Sequence, residues 1–209
     1  YILTGYFNLP KILEITLHNG YDPAAGEPLG LALGKAEDFK SYEELFEAYK
    51  KQILYFLDIK MRGNHVIEGI YARYMPVPFL SVITNDCIAK GKDYNAGGAR
   101  YNTNYLQGVG IRTITDSLAA IKYNVFDKQK FTLSELMQAL NDNFEGHGRI
   151  WNLVSNKTPK YGNDDDYADD IMKDVFSFYY ESVTGRPNMK GGKYRINMLP
   201  TTCHFDFGV

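Results

Sequence analysis

The sequence predicts a helix-rich α/β fold on three observations. Apolar residues recur three and four apart through one segment after another, and most segments open on a capping residue and close on glycine or proline. One short alternating run, "GGKYRINMLPTT", reads instead as a strand. The 209 residues are 44% hydrophobic and 23% charged, enough to bury the core of one domain.

The first helix is "NLPKILEITLHNG", capped by Asn8, with Pro10 in the first turn where its missing N–H costs nothing, and stopped at Asn19-Gly20. The second opens at Ser41-Tyr-Glu-Glu44, a capping-box spacing. It carries Leu45, Phe46, Tyr49, Ile53, Phe56 and Leu57 at helical intervals until the break at Pro76 and Pro78. "PFLSVITNDCIAKG" supports one further short helix closed by Gly91. The segment from Tyr94 to Ile111, "YNAGGARYNTNYLQGVGI", reads as a link between helices whose glycines permit positive φ and close approach of another chain.

"TITDSLAAIKYNVF" follows as a helix with Thr113 or Thr115 as its cap and Leu118, Ile121 and Val125 on one face. Thr132-Leu-Ser-Glu135 opens "TLSELMQALNDNF" by capping-box logic, and Tyr167 to Val183 gives the last long helix. The strand after it stops at Pro200, because proline removes a ladder donor. No internal repeat or Ser/Gly-rich linker divides the chain, so one domain, or a piece of one, is expected.

A net charge of −2 with dispersed lysines and arginines argues against a nucleic acid or an anionic membrane as partner. No apolar run approaches the roughly 20 residues of a spanning helix. Two cysteines, Cys87 and Cys203, without a CxxC spacing, fit a reducing compartment, and a cytoplasmic location is expected. The chain starts at Tyr1 and stops at "CHFDFGV" without a polar tail, which reads as an internal fragment of a longer protein.

Local chemistry is sparse. Gly108-Val-Gly110 lacks the third glycine of a dinucleotide fingerprint and no buried strand plainly precedes it, and "GKDYNAGG" lacks the Gly-Lys-Ser/Thr of a phosphate loop. The acidic run "NDDDYADD" suits the positive end of a helix better than a calcium loop, since the loop's glycine and closing glutamate are missing. His18, His65, His147 and His204 show no ligand spacing and read as hydrogen-bonded histidines. Cys203 and His204 are neighbours, and side chains adjacent on a strand point to opposite faces, so an inert thiol is expected.

Read together, "FNLPKILEITLHNG", "GGARYNTNYLQGVGIRTITDSLAAIK", "PKYGNDDDYAD" and "INMLPTTCHF", in that order, resemble the glycyl radical enzymes, the pyruvate formate-lyase-like family, over nearly the whole chain. The resemblance implies a helix-rich portion of a ten-stranded β/α barrel, which encloses radical chemistry away from solvent. It places the catalytic cysteine, in a Gly-Cys-Val-Glu type motif, before Tyr1, and the radical glycine, in an Arg-Val-Ser-Gly-Tyr type motif, beyond Val209. Residues 1–209 are thus expected to be an internal part of one barrel domain that cannot turn over by itself, with no catalytic residue, metal ligand or bound cofactor of its own. The glycyl radical is expected on a residue outside this chain, installed by a partner activase that uses S-adenosylmethionine and an iron–sulfur cluster, in an enzyme that is anaerobic and a homodimer at full length.

Within the family, "YILTGYFNLPKILE" departs from the diol and choline lyases at Tyr6 and Pro10 and resembles the members that dehydrate trans-4-hydroxy-L-proline. The implied reaction removes hydrogen from the ring carbon beside nitrogen, loses the C4 hydroxyl as water and, on return of a hydrogen atom, gives 1-pyrroline-5-carboxylate. Tyr6 is then expected to border the substrate ring and Thr201 to hydrogen-bond its carboxylate or hydroxyl. Arg100 and the neighbouring glycines are expected to be architectural, Arg100 through its fork of donors in a crowded interior. Two alternatives stay open: a glycyl radical lyase or decarboxylase with another substrate, such as glycerol or propanediol, and a helical interaction domain without catalysis.

Overall fold

The computed structural model describes residues 2–198, with side chains from residue 5 onward. Thr201, Cys203 and His204 lie outside the described residues. The chain forms two compact units. One is Asn8–Tyr55 with Gly110–Phe178; the other is Tyr1–Phe7, Phe56–Val109 and Tyr179–Val209, described up to residue 198.

The unit of Asn8–Tyr55 and Gly110–Phe178 is mostly helical. Helix α1, Leu9–Leu17, starts as its sequence implies: the Asn8 side-chain oxygen accepts from the Lys11 N–H at 3.2 Å, with Pro10 in the first turn. It ends where Asn19 and Gly20 take φ of 53° and 86°. Two short strands follow, β2 at Tyr21–Asp22 and β3 at Glu27–Pro28, paired antiparallel. The Lys11 ammonium lies 2.8 Å from the Asp22 carboxylate and holds its pKa below the usual range.

Helix α2, Tyr42–Tyr74, is 33 residues long. Its capping box is offset by one residue: Ser41 Oγ accepts from the Glu44 N–H at 3.2 Å, but the Glu44 carboxylate accepts from Lys40, not Ser41, at 2.8 Å. Leu45, Tyr49 and Ile53 are buried, and the Tyr49 hydroxyl donates to the Leu9 carbonyl. Gln52 is fully buried and clamps Leu31, accepting from its N–H at 2.9 Å and donating to its carbonyl at 2.7 Å.

Helix α5 spans Ile111–Ile121, and its cap is Gly110 at φ 80°, not Thr113 or Thr115. Both threonines lie inside the helix, where Thr115 Oγ1 donates to the Ile111 carbonyl at 2.7 Å. The helix runs on as a π-helical turn, Lys122–Asp127. There buried Asn124 donates through Nδ2 to Ala120 O at 3.0 Å and Thr158 Oγ1 at 2.7 Å, tying the wide turn to a segment 34 residues further along the chain.

α6 is Leu133–Asn141 and opens on the expected box, with Thr132 and Glu135 capping each other. A further helix, α7 at Gly148–Asn156, was not legible in the sequence pattern. α8, Asp166–Val183, begins where the Asp165 carboxylate accepts from the Tyr167 N–H at 3.0 Å, a helix-start role for the acidic run.

The other unit holds a three-stranded sheet in the order β1-β4-β5, with β1 at Ile2–Asn8, β4 at Asn104–Val109 and β5 at Tyr194–Asn197. β4 and β5 run parallel, Asn104 opposite Tyr194 and Gln107 opposite Asn197. β5 is the expected strand; β1 precedes the first element the sequence was read for, and β4 corrects the segment read as a link. The single helix expected over 78–91 is two, α3 at Pro78–Ile83 and α4 at Cys87–Lys90, because Asp86 adopts φ 75° between them.

The Asp93 carboxylate organises the loop before β4. It accepts from the Val77 N–H at 2.8 Å, the Ser81 hydroxyl at 2.7 Å and the Asn95 N–H at 2.8 Å.

Candidate substrate-facing surface

Alternation along β1 sends Phe7 and Tyr6 to opposite faces of the sheet. Phe7 is buried and stacks on Tyr179 of α8, ring centroids 5.7 Å apart. A Cβ at Gly108 would lie 2.9 Å from the same Tyr179 ring, so Gly108, and with it Leu106 and Asn104, faces the helices too. Burial without a hydrogen-bond partner pushes the Tyr179 phenol pKa well up. In β5, Tyr194 pairs with Asn104 and turns the same way, its ring 6.0 Å from His65 of α2.

The opposite face is what the remaining residues make. Tyr6 stands on it, 43% exposed, and the alternation adds Tyr105, Gln107 and Val109 from β4 and Arg195 and Asn197 from β5. Gln107 and Val109 are buried. This face carries an exposed phenol on the same side of the sheet as amide and guanidinium side chains. The sequence reading named Tyr6; Tyr105, Gln107, Arg195 and Asn197, which share its face of the sheet, were not named. The signal was there in "NYLQGV", yet polar residues on both faces of β4 hid its period of two.

Thr201, the second residue expected at the pocket, lies outside the described residues, four positions past the end of β5. The strand preceding Gly108-Val-Gly110 is real, correcting the reading that none was there, and Gly110 turns β4 directly into α5. Cys87 is buried in α4. His18 contacts the Glu14 carbonyl through Nδ1 at 2.9 Å, His65 the Pro187 carbonyl through Nε2 at 3.3 Å, and His147 the Asp142 carboxylate at 2.9 Å. Among the described residues no three His, Cys, Asp or Glu side chains cluster as a metal site, and no helix is long and apolar enough to cross a membrane.

Arg100 departs from its expected place. Its guanidinium pairs with Asp86 through two nitrogens, Nη2 at 2.7 Å and Nε at 3.1 Å, but the side chain is 53% exposed. The fork geometry holds; the crowded interior does not.

The model of the pyruvate formate lyase-like family matches residues 1–208. The trans-4-hydroxy-L-proline dehydratase of Clostridioides difficile is 65% identical over 208 residues, which are 100% of this chain and 26% of that protein. The crystal structure of hydroxyproline dehydratase from the same organism, with trans-4-hydroxy-L-proline bound, superposes with a TM-score of 0.97 over 100% of this chain and 26% of its own. The glycerol-bound B12-independent glycerol dehydratase of Clostridium butyricum gives a TM-score of 0.92 at 37% identity, over 97% of this chain and 25% of its own. This chain therefore spans about a quarter of the length of the relatives it matches. On the family match and the agreement of both sequence and fold, the chain belongs to the pyruvate formate lyase-like family.

Proposed function

We propose that residues 1–209 are an internal part of a single barrel domain of a glycyl radical dehydratase that converts trans-4-hydroxy-L-proline to 1-pyrroline-5-carboxylate and water. The observation that carries this reading is the contrast in identity: 65% to the hydroxyproline dehydratase, against 37% to the glycerol dehydratase and 36% to the (2S)-3-sulfopropanediol dehydratase of Klebsiella oxytoca. The sheet β1-β4-β5 with its flanking helices is one arc of the ten-stranded barrel, and the face bearing Tyr6 is its inner wall.

In this reading the chain binds and orients. The Tyr6 ring covers one face of the pyrrolidine, and its hydroxyl, which can donate or accept, meets a polar substituent of the substrate. Thr201 hydrogen-bonds the carboxylate or hydroxyl from beyond β5. Radical chemistry is supplied by a glycyl residue and a cysteine outside this chain, after activation by a partner enzyme that uses S-adenosylmethionine and an iron–sulfur cluster. The complete enzyme is cytoplasmic and homodimeric.

The test is product analysis. The full-length enzyme is activated anaerobically and offered trans-4-hydroxy-L-proline, glycerol and choline side by side. Conversion of hydroxyproline alone, to a product of the mass of 1-pyrroline-5-carboxylate, is expected; conversion of glycerol or choline with hydroxyproline untouched would overturn the assignment.

A further inference from the structure

Glu68 of α2 is buried and gathers contacts from both members of the parallel pair β4-β5. Its carboxylate accepts from Nδ2 of Asn104, the first residue of β4, and from the Met189 N–H at 3.3 Å, in the loop that leads into β5. The Lys190 ammonium stands 4.0 Å from the same carboxylate, and the two side chains are only 6% and 8% exposed. That ammonium also lies 6.0 Å from the centre of the Tyr94 ring, the outer range of a cation–π contact. Burial lowers the Lys190 pKa, and Glu68 offsets this only in part.

The loop holds the lysine in place. Asn188 Oδ1 accepts from the Lys190 N–H at 3.1 Å and the Gly192 N–H at 2.8 Å, and its Nδ2 donates to the Asn102 carbonyl at 2.6 Å. Gly97 admits the loop closely, since a Cβ there would lie 2.5 Å from the Lys190 carbonyl oxygen.

A buried ion pair is a poor device for stability. Removing both charges from water can cost more than their attraction returns, and apolar side chains of similar size often serve as well or better; the best-attested use of such a pair is to fix a register. β5 is four residues long and lies at the end of the described sheet, so few ladder bonds hold it. A slip of one residue along β4 would turn Arg195 and Asn197 toward the helices, and a slip of two would carry everything beyond β5 about 6–7 Å along the strand.

We infer that Glu68 and Lys190 are positioning residues: one carboxylate, bound to β4 through Asn104 and to the approach to β5 through Met189 and Lys190, fixes the register of β5 on β4. It thereby sets the place of Asn197 and of the chain that leads to Thr201. The effect on turnover rests on the proposed substrate contacts; the effect on register does not.

The experiment compares full-length parent enzyme with two variants, Lys190→Met and the double variant Glu68→Gln/Lys190→Met, which removes both charges and keeps an acceptor for Asn104. Crystal structures read the register, and kinetics after anaerobic activation read KM and kcat for trans-4-hydroxy-L-proline. The double variant is expected to unfold at a midpoint close to the parent's, with β5 displaced along β4 or present in more than one register, and with KM raised about tenfold or more while kcat changes less. A shifted register with KM unchanged would uphold the positioning role and count against the substrate contacts proposed beyond β5. The parent register kept in both variants, or a failure of both to fold, would overturn the inference, the second because the pair would then hold the fold and not the register.

Discussion

Phe7 and Tyr179 stack at 5.7 Å with their rings 29° apart, and this contact decides where Tyr6 points. Because neighbours on a strand face opposite ways, anchoring Phe7 against α8 leaves Tyr6 on the other side of the sheet. Phe7 thus belongs to the core, and Tyr6 stands on the face where the proposed substrate contact lies. Phe7→Ala is expected to cost about 3–5 kcal/mol of stability, as large-to-small changes at buried aromatics do. Tyr6→Ala is expected to leave the unfolding midpoint nearly unchanged and to lower kcat/KM for hydroxyproline about 10- to 100-fold, the worth of one packing and hydrogen-bonding contact. Paired unfolding and kinetic measurements on the full-length variants check both.

Gly110 sits at φ 80° between β4 and α5, and a Cβ there would lie 2.6 Å from Cδ and Cγ of Pro10. Gly110→Ala therefore combines a strained backbone with a steric clash and is expected to destabilise by about 2–4 kcal/mol. Chemical denaturation of the variant beside the parent measures it.

Arg100→Lys is expected to change stability little. The pair with Asp86 is bidentate, but both side chains reach solvent, at 53% and 29% exposure, so water and salt screen it. Any small difference in unfolding midpoint should shrink further in high salt.

The Asp93 carboxylate carries a pH dependence of stability. Burial pushes its pKa up, but the Ser81 hydroxyl and the Asn95, Val77 and Tyr94 N–H groups outweigh burial, and the net shift is downward. A depressed folded pKa means that the unfolded chain binds the proton first. The contribution is thus complete above the ordinary carboxylate range and is lost as pH falls through the depressed value. The stability difference between the parent and Asp93→Asn should be largest near neutral pH and shrink as pH falls through and below the ordinary carboxylate range.

Much of the helical layout was legible because its signals are local. Asn8, Ser41 and the Thr132–Glu135 box mark helix starts within a few residues of where they occur. The strands β1 and β4 were not, since their identity comes from pairing: "ILTGYFN" runs straight into α1, and "NYLQGV" carries asparagine and glutamine on buried positions. The Thr113 and Thr115 caps failed for a related reason, as Gly110 in the left-handed region starts α5 three residues earlier without any side-chain cap. Tyr6 was singled out through family resemblance, whereas its place on the sheet follows from Phe7, which sequence spacing alone does not tie to Tyr179.

Residues of α3, α4 and the end of α2 leave several large apolar side chains exposed, with Phe79 at 91%, Ile83 at 80% and Ile88 at 71%. Exposed apolar side chains favour association where they meet in one patch. The chain of residues 1–209 expressed by itself is expected to self-associate, which sedimentation or light scattering reads directly. A monodisperse monomer with cooperative unfolding would contradict it.

The most direct measurement is a crystal structure of the full-length, unactivated enzyme soaked with trans-4-hydroxy-L-proline. The account predicts the pyrrolidine ring in van der Waals contact with the Tyr6 ring, on the face of β1 opposite Phe7. A ligand bound elsewhere, with Tyr6 in contact only with protein, would contradict it.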